Sequence, residues 1–170
     1  MNASHPVRSL KIAGTGIERF SVCIQPGAGE TAAYAAEELC RYLNLATGVT
    51  LPIVPPETAA SPCIQICCAE TAPDGSALGV DDFAVAVASG NLILSGGGGR
   101  GVLYAVYAFL EETVGCRWYA SDTEAILPAE SIDLPEGTCR VEHAVFEYRD
   151  SFWTDVIRHP AFRVRLKTNT

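Results

Sequence analysis

Apolar and polar positions alternate over residues 19–25. Phe20, Val22 and Ile24 point one way, Ser21 and Cys23 the other, and Pro26-Gly27 ends the run. A period of two predicts a half-buried strand. Over residues 31–47 the period lengthens. Ala36, Leu39, Cys40 and Leu43 fall at i, i+3, i+4 and i+7, a single helical stripe with Gly48 as its stop. Residues 49–54 read as a short strand closed by Pro55-Pro56, residues 57–62 as a loop, and residues 63–69 as a strand with Ile64 and Ile66 on one face. Residues 71–80, rich in Gly, Pro and Asp, read as another loop.

The clearest pattern follows. Phe83, Val85 and Val87 alternate with Ala84, Ala86 and Ala88, Ser89-Gly90-Asn91 turns the chain, and Leu92-Ile93-Leu94 returns. Gly90-Asn91 is hairpin-turn chemistry, so these strands are expected to pair antiparallel. After Ser95 comes Gly96-Gly97-Gly98-Gly99-Arg100-Gly101, then a helix over residues 99–113. Its core stripe is Leu103, Val106, Tyr107, Leu110 and Val114, widened by Val102 and Phe109, and Gly115 stops it. So wide an apolar face predicts burial on more than one side. Residues 116–119 read as a short strand, 124–127 and 131–134 as edge strands, and 143–148 as a further alternating run.

The order β-α-β-β-β-β-α-β predicts an α+β fold: a mixed sheet with a central antiparallel hairpin and two main helices packed on one face. Residues 1–142 are expected to form this domain. The stretch 151–170 differs, with Arg158, Arg163, Arg165 and Lys167 interleaved with Phe152, Trp153 and Phe162, and it closes no element. Residues 143–170 therefore read as a linker and the opening of a second domain.

Length and composition narrow this picture. The chain has 170 residues, 48% apolar and 19% charged, as an ordinary globular domain has. Its longest apolar run, residues 102–110, falls far short of the roughly 20 residues of a membrane span. A net charge of -8 repels phosphate backbones, which argues against nucleic acid as a partner, and no membrane partner is expected. Seven cysteines leave at least one unpaired, and several lie in apolar patterns. The N-terminus, Met1-Asn2-Ala3-Ser4-His5-Pro6, lacks the layout of a signal peptide. Both features favour a reducing cytoplasm.

Four patterns invite chemical readings. Gly96, Gly98 and Gly101 fit G-x-G-x-x-G, and Asp122 lies where a ribose-binding acid would sit. A dinucleotide fold needs that strand central and parallel, whereas here it is the second arm of a hairpin. The cluster is therefore expected to be a tight turn feeding a closely packed helix, with Arg100 free to touch a ligand or neighbouring domain. Glu37-Glu38, Asp81-Asp82 and Glu111-Glu112 are adjacent pairs, and adjacent helical residues diverge by about 100°. They are expected to be solvated helix faces and a loop. Cys63, Cys67 and Cys68 form no C-x-x-C pair, and His5, His143 and His159 have no ligand spacing, so no metal or other cofactor is expected. No G-x-S-x-G elbow occurs, and no catalytic residue is assigned.

Residues 92–119 read LILSGGGGRGVLYAVYAFLEETVGCRWY. A strand ending in Ser-Gly-Gly, Arg100-Gly101, the helix Leu103-Tyr104-Ala105-Val106-Tyr107-x-Phe109-Leu110-Glu111 and then Gly115-Cys116-Arg117-Trp118-Tyr119 resemble the accessory domain ahead of the catalytic barrel in glycoside hydrolases. The likeness is to the N-terminal domain of alpha-glucuronidases and of uncharacterised bacterial glycoside-hydrolase-like proteins, and the string is similar to the domain preceding the barrel in family 20 beta-N-acetylhexosaminidases. It spans most of residues 20–134. The resemblance implies a non-catalytic α+β domain, with catalysis on a downstream (β/α)8 barrel of about 250 residues. Phe146-Glu147-Tyr148-Arg149-Asp150 resembles the first barrel strand of family 20 enzymes, in which the Arg of Tyr-Arg-Gly holds sugar hydroxyls; here Asp150 stands in place of the Gly.

The resemblance makes Arg149, Trp153 and Arg100 candidate carbohydrate contacts, and Arg117, Trp118 and Tyr119 candidates for packing against the barrel. The plainer reading of Arg149 is an ion pair with Glu147 or Asp150. The leading expectation is an accessory domain supporting a carbohydrate-cleaving barrel, inactive alone, with the barrel as partner and self-association through the uncovered face. A free-standing carbohydrate-binding module and a nucleotide-binding enzyme using residues 96–101 are the alternatives.

Overall fold

The computed structural model describes residues 5–169. The N-terminal signal reading rests largely on Met1 to Ser4, which lie outside the described residues, as does Thr170. In chain order the elements are β1 (Leu10–Ile12), β2 (Thr15–Gly16), β3 (Ser21–Ile24), α1 (Gly29–Thr47), β4 (Ile53–Val54), β5 (Cys63–Cys68), β6 (Phe83–Ala88), β7 (Asn91–Gly96), α2 (Gly101–Phe109), β8 (Cys116–Ala120), β9 (Thr123–Ile126), β10 (Ile132–Leu134), β11 (Cys139–Glu142), α3 (Thr154–Arg158) and α4 (Pro160–Arg165). The chain is α+β.

Six strands form a mixed sheet in the order β11-β6-β7-β5-β3-β4. Strands β7, β5, β3 and β4 run parallel, and β6 is antiparallel to both neighbours. Helix α1 lies on β3 and β5, helix α2 on β6 and β7, and the two helices touch. The expected stripe of α1 is buried at Ala36, Leu39 and Leu43, and Gly48 ends the helix at φ 76°. Every residue of α2 is buried, because the helix meets the sheet, α1 and α4. Each fully buried Leu, Val or Phe contributes about 1.5–3 kcal/mol, so this face carries most of the stability. The opposite face of the sheet is covered near Ala84 by Ala72 and Leu78 from the loop before β6. Cys23 is buried there as well, so β3 is covered on both faces rather than one.

The hairpin forms with a one-residue correction. Ser89 and Gly90, with φ of 53° and 75°, are its two central residues, and Asn91 begins the return strand. Asn91 Oδ1 instead accepts the Cys63 amide at 2.9 Å and ties the turn to β5. Strand β4 is only Ile53–Val54, because Pro52 has no amide to place in a ladder. Helix α2 is followed by a π-helical turn, Leu110–Val114, closed by Gly115 at φ 89°.

Two small sheets complete the fold. Strand β1 pairs parallel with β10 and antiparallel with β2, and β8 pairs antiparallel with β9. The alternating run 143–148 is not a strand, and neither is the stretch that resembles a first barrel strand. Strand β11 occupies the sheet edge one step earlier, and the Ala144 amide is captured by Asp82 Oδ1 at 2.8 Å. The segment after β11 folds back on the body. Its Val156 and Phe162 join the same apolar core as the helices.

Candidate functional site

The glycine turn is shaped by close backbone packing. A Cβ on Gly96 would overlap the Gly101 backbone, and one on Gly97 would overlap the Gly79 carbonyl oxygen. Strand β7 is central, but only its β5 side is parallel, so the dinucleotide geometry is absent. Asp82 stitches this region together. Its carbonyl accepts the Gly97 amide at 2.9 Å, its Oδ2 the Gly79 amide at 2.8 Å, and His143 Nδ1 lies 2.9 Å from Oδ2. Burial raises the Asp82 carboxyl, but His143 and the Ala144 and Gly79 amides outweigh it and hold the group below its ordinary value. It is therefore an ionised acceptor near neutral pH, unsuited to acting as an acid.

Asp81 then faces the returning tail. Its Oδ2 accepts Arg149 Nη2 at 2.9 Å and Asn169 Nδ2 at 2.7 Å. Arg149 also donates from Nε to the Lys167 carbonyl at 3.0 Å and from Nη1 to the Phe146 carbonyl at 2.8 Å. Its ion-pair partner is thus Asp81, not the expected Glu147 or Asp150. The guanidinium lies 5.7 Å from the Tyr104 ring centroid, and Tyr104 Oη donates to the Thr168 carbonyl at 2.9 Å. Burial, then the Asp81 carboxylate, push the Tyr104 phenol up against the opposing Arg100 and Arg149 cations.

Three cavities border Asp81. One of about 350 Å³ contains Phe83, Tyr104, Phe146 and Arg149. A second of about 240 Å³ lies between Asp81 and Arg100. The third, about 440 Å³, runs along Gly79, Asp82 and Glu147. Two of the three candidate sugar contacts, Arg100 and Arg149, therefore flank one carboxylate. Trp153 lies apart and packs edge-on against Phe162 at 5.7 Å.

The Arg117-Trp118-Tyr119 trio divides. Arg117 Nη1 donates to the Glu111 and Cys116 carbonyls and braces the π-helical turn. Trp118 is 8% exposed, edge-on to Tyr42 at 5.5 Å and Tyr107 at 5.4 Å, so its ring is not open to a sugar or a separate barrel. Tyr119 is exposed.

Beneath Trp118 lies a polar cluster that pattern reading missed. Glu38, expected on a solvated face, is buried and accepts Tyr107 Oη and Arg165 Nη2, each at 2.9 Å. Trp118 Nε1 donates to Tyr42 Oη at 2.9 Å, and Tyr42 Oη donates to Glu124. Burial opposes the Arg165 charge, but Glu38 and its neighbours more than compensate and push its pKa up. Asp81 and Asp82 are likewise largely enclosed rather than on an open loop. The partners of Glu38 come from α1, α2 and the tail, and those of Asp81 and Asp82 from the tail and the preceding loop.

The described cysteines are free thiols. Burial pushes Cys67 up to about 11 and Cys116 up to about 12, which keeps both protonated and unreactive near neutral pH. Cys68 lies opposite Cys63 and Cys67 and donates to the Ala28 carbonyl. Among the described residues, no group of three or more His, Cys, Asp or Glu side chains can hold a metal ion. No helix among them is long and apolar enough to cross a membrane. Neither a scan against protein-family models nor a search of the curated proteins gives a match.

Proposed function

We propose that the chain is a non-catalytic accessory module of a glycoside-hydrolase-like protein, which presents its tail to a carbohydrate-cleaving barrel. The observation that carries this reading is the apolar face of the tail. Among the described residues, seven of the thirteen exposed large hydrophobics fall within residues 145–166, and Phe152 is 92% exposed. The tail is nevertheless firmly held. Arg149 bonds Asp81, Asp155 accepts the Ser121 hydroxyl at 2.6 Å, Arg165 bonds Glu38, and Lys167 Nζ bonds Glu111 at 2.7 Å. A segment pinned this way while turning Phe146, Phe152, Trp153 and Ile157 to water has the character of an interface awaiting its partner. The enclosed, hydrogen-bonded carboxylates support a module that braces and binds and does not itself cleave. The free thiols support a reducing, cytoplasmic setting.

The test reads the gene through and beyond the Thr170 codon and assays its full product beside the chain on a panel of aryl glycosides. The expected result is a reading frame continuing for about 250 codons or more, with turnover by the full product and none by the chain. A stop codon at once, or robust turnover by the chain, contradicts the proposal. A second reading, a free-standing carbohydrate-binding module, is favoured by the exposure of Tyr119 and Trp153. Retention of the chain on immobilised polysaccharide, with loss in Tyr119→Ala or Trp153→Ala, is its signature.

A further inference from the structure

We infer that the cavity of about 350 Å³ beside Phe146 is a binding site for a small neutral molecule carrying one apolar ring, such as a phenyl or cyclohexyl group. Its volume falls in the range of small-molecule sites, about 300–1,000 Å³. Its accessible wall is apolar. Val145 is 85% exposed, Phe146 68% and Leu166 40%, and the buried Phe83 and Tyr104 complete the lining. Exposed hydrophobics gathered around one concavity are unfavourably hydrated, and an apolar ring seated among them removes that surface from water.

The wall is held in place although residues 143–149 form no helix or strand. Asp82 Oδ1 accepts the Ala144 amide at 2.8 Å, the Phe146 carbonyl accepts Arg149 Nη1 at 2.8 Å, and the Glu147 carbonyl accepts Asn169 Nδ2 at 2.6 Å. Lys167, which also lines the cavity, holds φ 57° just after α4, a left-handed conformation that glycine usually supplies at a helix end. Its carbonyl accepts Arg149 Nε at 3.0 Å. A wall fixed this way loses little freedom when a ligand enters. The wall's own pairings decide the ligand's charge. Arg149 bonds Asp81 at 2.9 Å, Lys167 bonds Glu111 at 2.7 Å, Glu142 bonds Arg140 at 2.6 Å, and His143 lies 2.9 Å from Asp82. The Tyr104 hydroxyl donates to the Thr168 carbonyl. An ion entering here loses hydration and finds every charged group of the wall already partnered, whereas a neutral ring loses little. The site needs neither a barrel nor a sugar, so the inference stands apart from the accessory-module reading.

The test is an NMR titration of the chain's backbone amides with three probes that share one ring: benzyl alcohol, benzoate and benzylammonium. The expected result is saturable, millimolar-range shifts at Val145, Phe146 and Leu166 with benzyl alcohol, and binding about tenfold or more weaker with either ion. Phe146→Ser removes part of the wall and should weaken benzyl alcohol binding about fivefold or more. The Phe146 side chain is mostly exposed, so this variant should remain folded. If it does not, Val145→Asp places a charge on the rim from an exposed position and should have the same effect. No saturable shift at these amides, either ion binding as tightly as benzyl alcohol, or binding unchanged in the variant that folds each overturn the site. Shifts at the same amides that follow chain concentration and exclude benzyl alcohol assign the cavity to a second copy and also overturn it. Shifts confined to Tyr119 or Trp153 do so as well. A gene that stops at Thr170 removes the accessory-module reading and leaves the binding of benzyl alcohol intact.

Discussion

Replacing Arg165 by Met tests whether the buried polar cluster fixes the tail. Arg165 Nη2 lies 2.9 Å from Glu38 Oε2, and their side chains are 10% and 9% exposed. Removing the cation leaves a buried carboxylate with Tyr107 Oη at 2.9 Å and Arg41 Nη1 at 3.4 Å as its remaining partners. Breaking one side of a buried pair costs about 3–5 kcal/mol, and the two surviving donors place Arg165→Met near about 3 kcal/mol. Against a total stability of about 5–15 kcal/mol, that is a large loss. Urea unfolding followed by far-ultraviolet circular dichroism measures it. The Glu38→Gln and Arg165→Met double variant should recover about 1–3 kcal/mol relative to additivity, because it no longer buries a carboxylate stripped of its closest cation. A loss below about 1 kcal/mol, the range of exposed pairs, together with additive single effects, refutes the reasoning.

Phe162, fully buried and edge-on to Trp153, anchors the tail; Phe162→Ala should cost about 3–5 kcal/mol, and amide exchange in residues 143–169 should accelerate ahead of exchange in α1. Asp82 is held below its ordinary value, so its stabilising share is present above about pH 4 and disappears as pH falls through the folded value. The stability difference between the wild type and Asp82→Asn should therefore shrink on acidification below about pH 4, and a pH-independent difference contradicts the assignment. The Tyr42 phenol is pushed up to about 12, first by burial and then by its bond to Glu124. With an unfolded value of about 10, the protonated phenol stabilises the fold below that pH, and the contribution is lost as pH rises from about 10. Tyr42→Phe should lessen the loss of stability on alkaline titration.

Local periodicity made the frame legible. The stripe through Ala36, Leu39 and Leu43 reports the buried face of α1, which begins two residues before the predicted start, and the alternation from Phe83 to Ala88 forms as β6 with the bounds predicted, buried on both faces. Strand β10 was read as an edge strand, but its partner β1 was not, since three residues give little period and the parallel pairing of the two spans the chain. The 143–148 alternation misled because the sheet edge was already taken by β11 and Asp82 captures the next amide. The site was legible only in part. Arg149 bonds Asp81, yet nothing local marks Asp81 as the partner of a residue 68 positions away. Glu38 carried a weak signal: it lies three residues after Ala35 and four before Tyr42, on the flank of the apolar stripe. Its partners Tyr107 and Arg165 come from α2 and α4, a convergence that only the tertiary fold supplies.

The most direct measurement of the central claim is hydroxyl-radical footprinting of the tail in the chain and in the full product of its gene. The account predicts strong labelling of Phe146, Phe152 and Trp153 in the chain and marked protection of all three in the full product, with Tyr34 labelled alike in both. Equal labelling of the tail aromatics in the two proteins contradicts it.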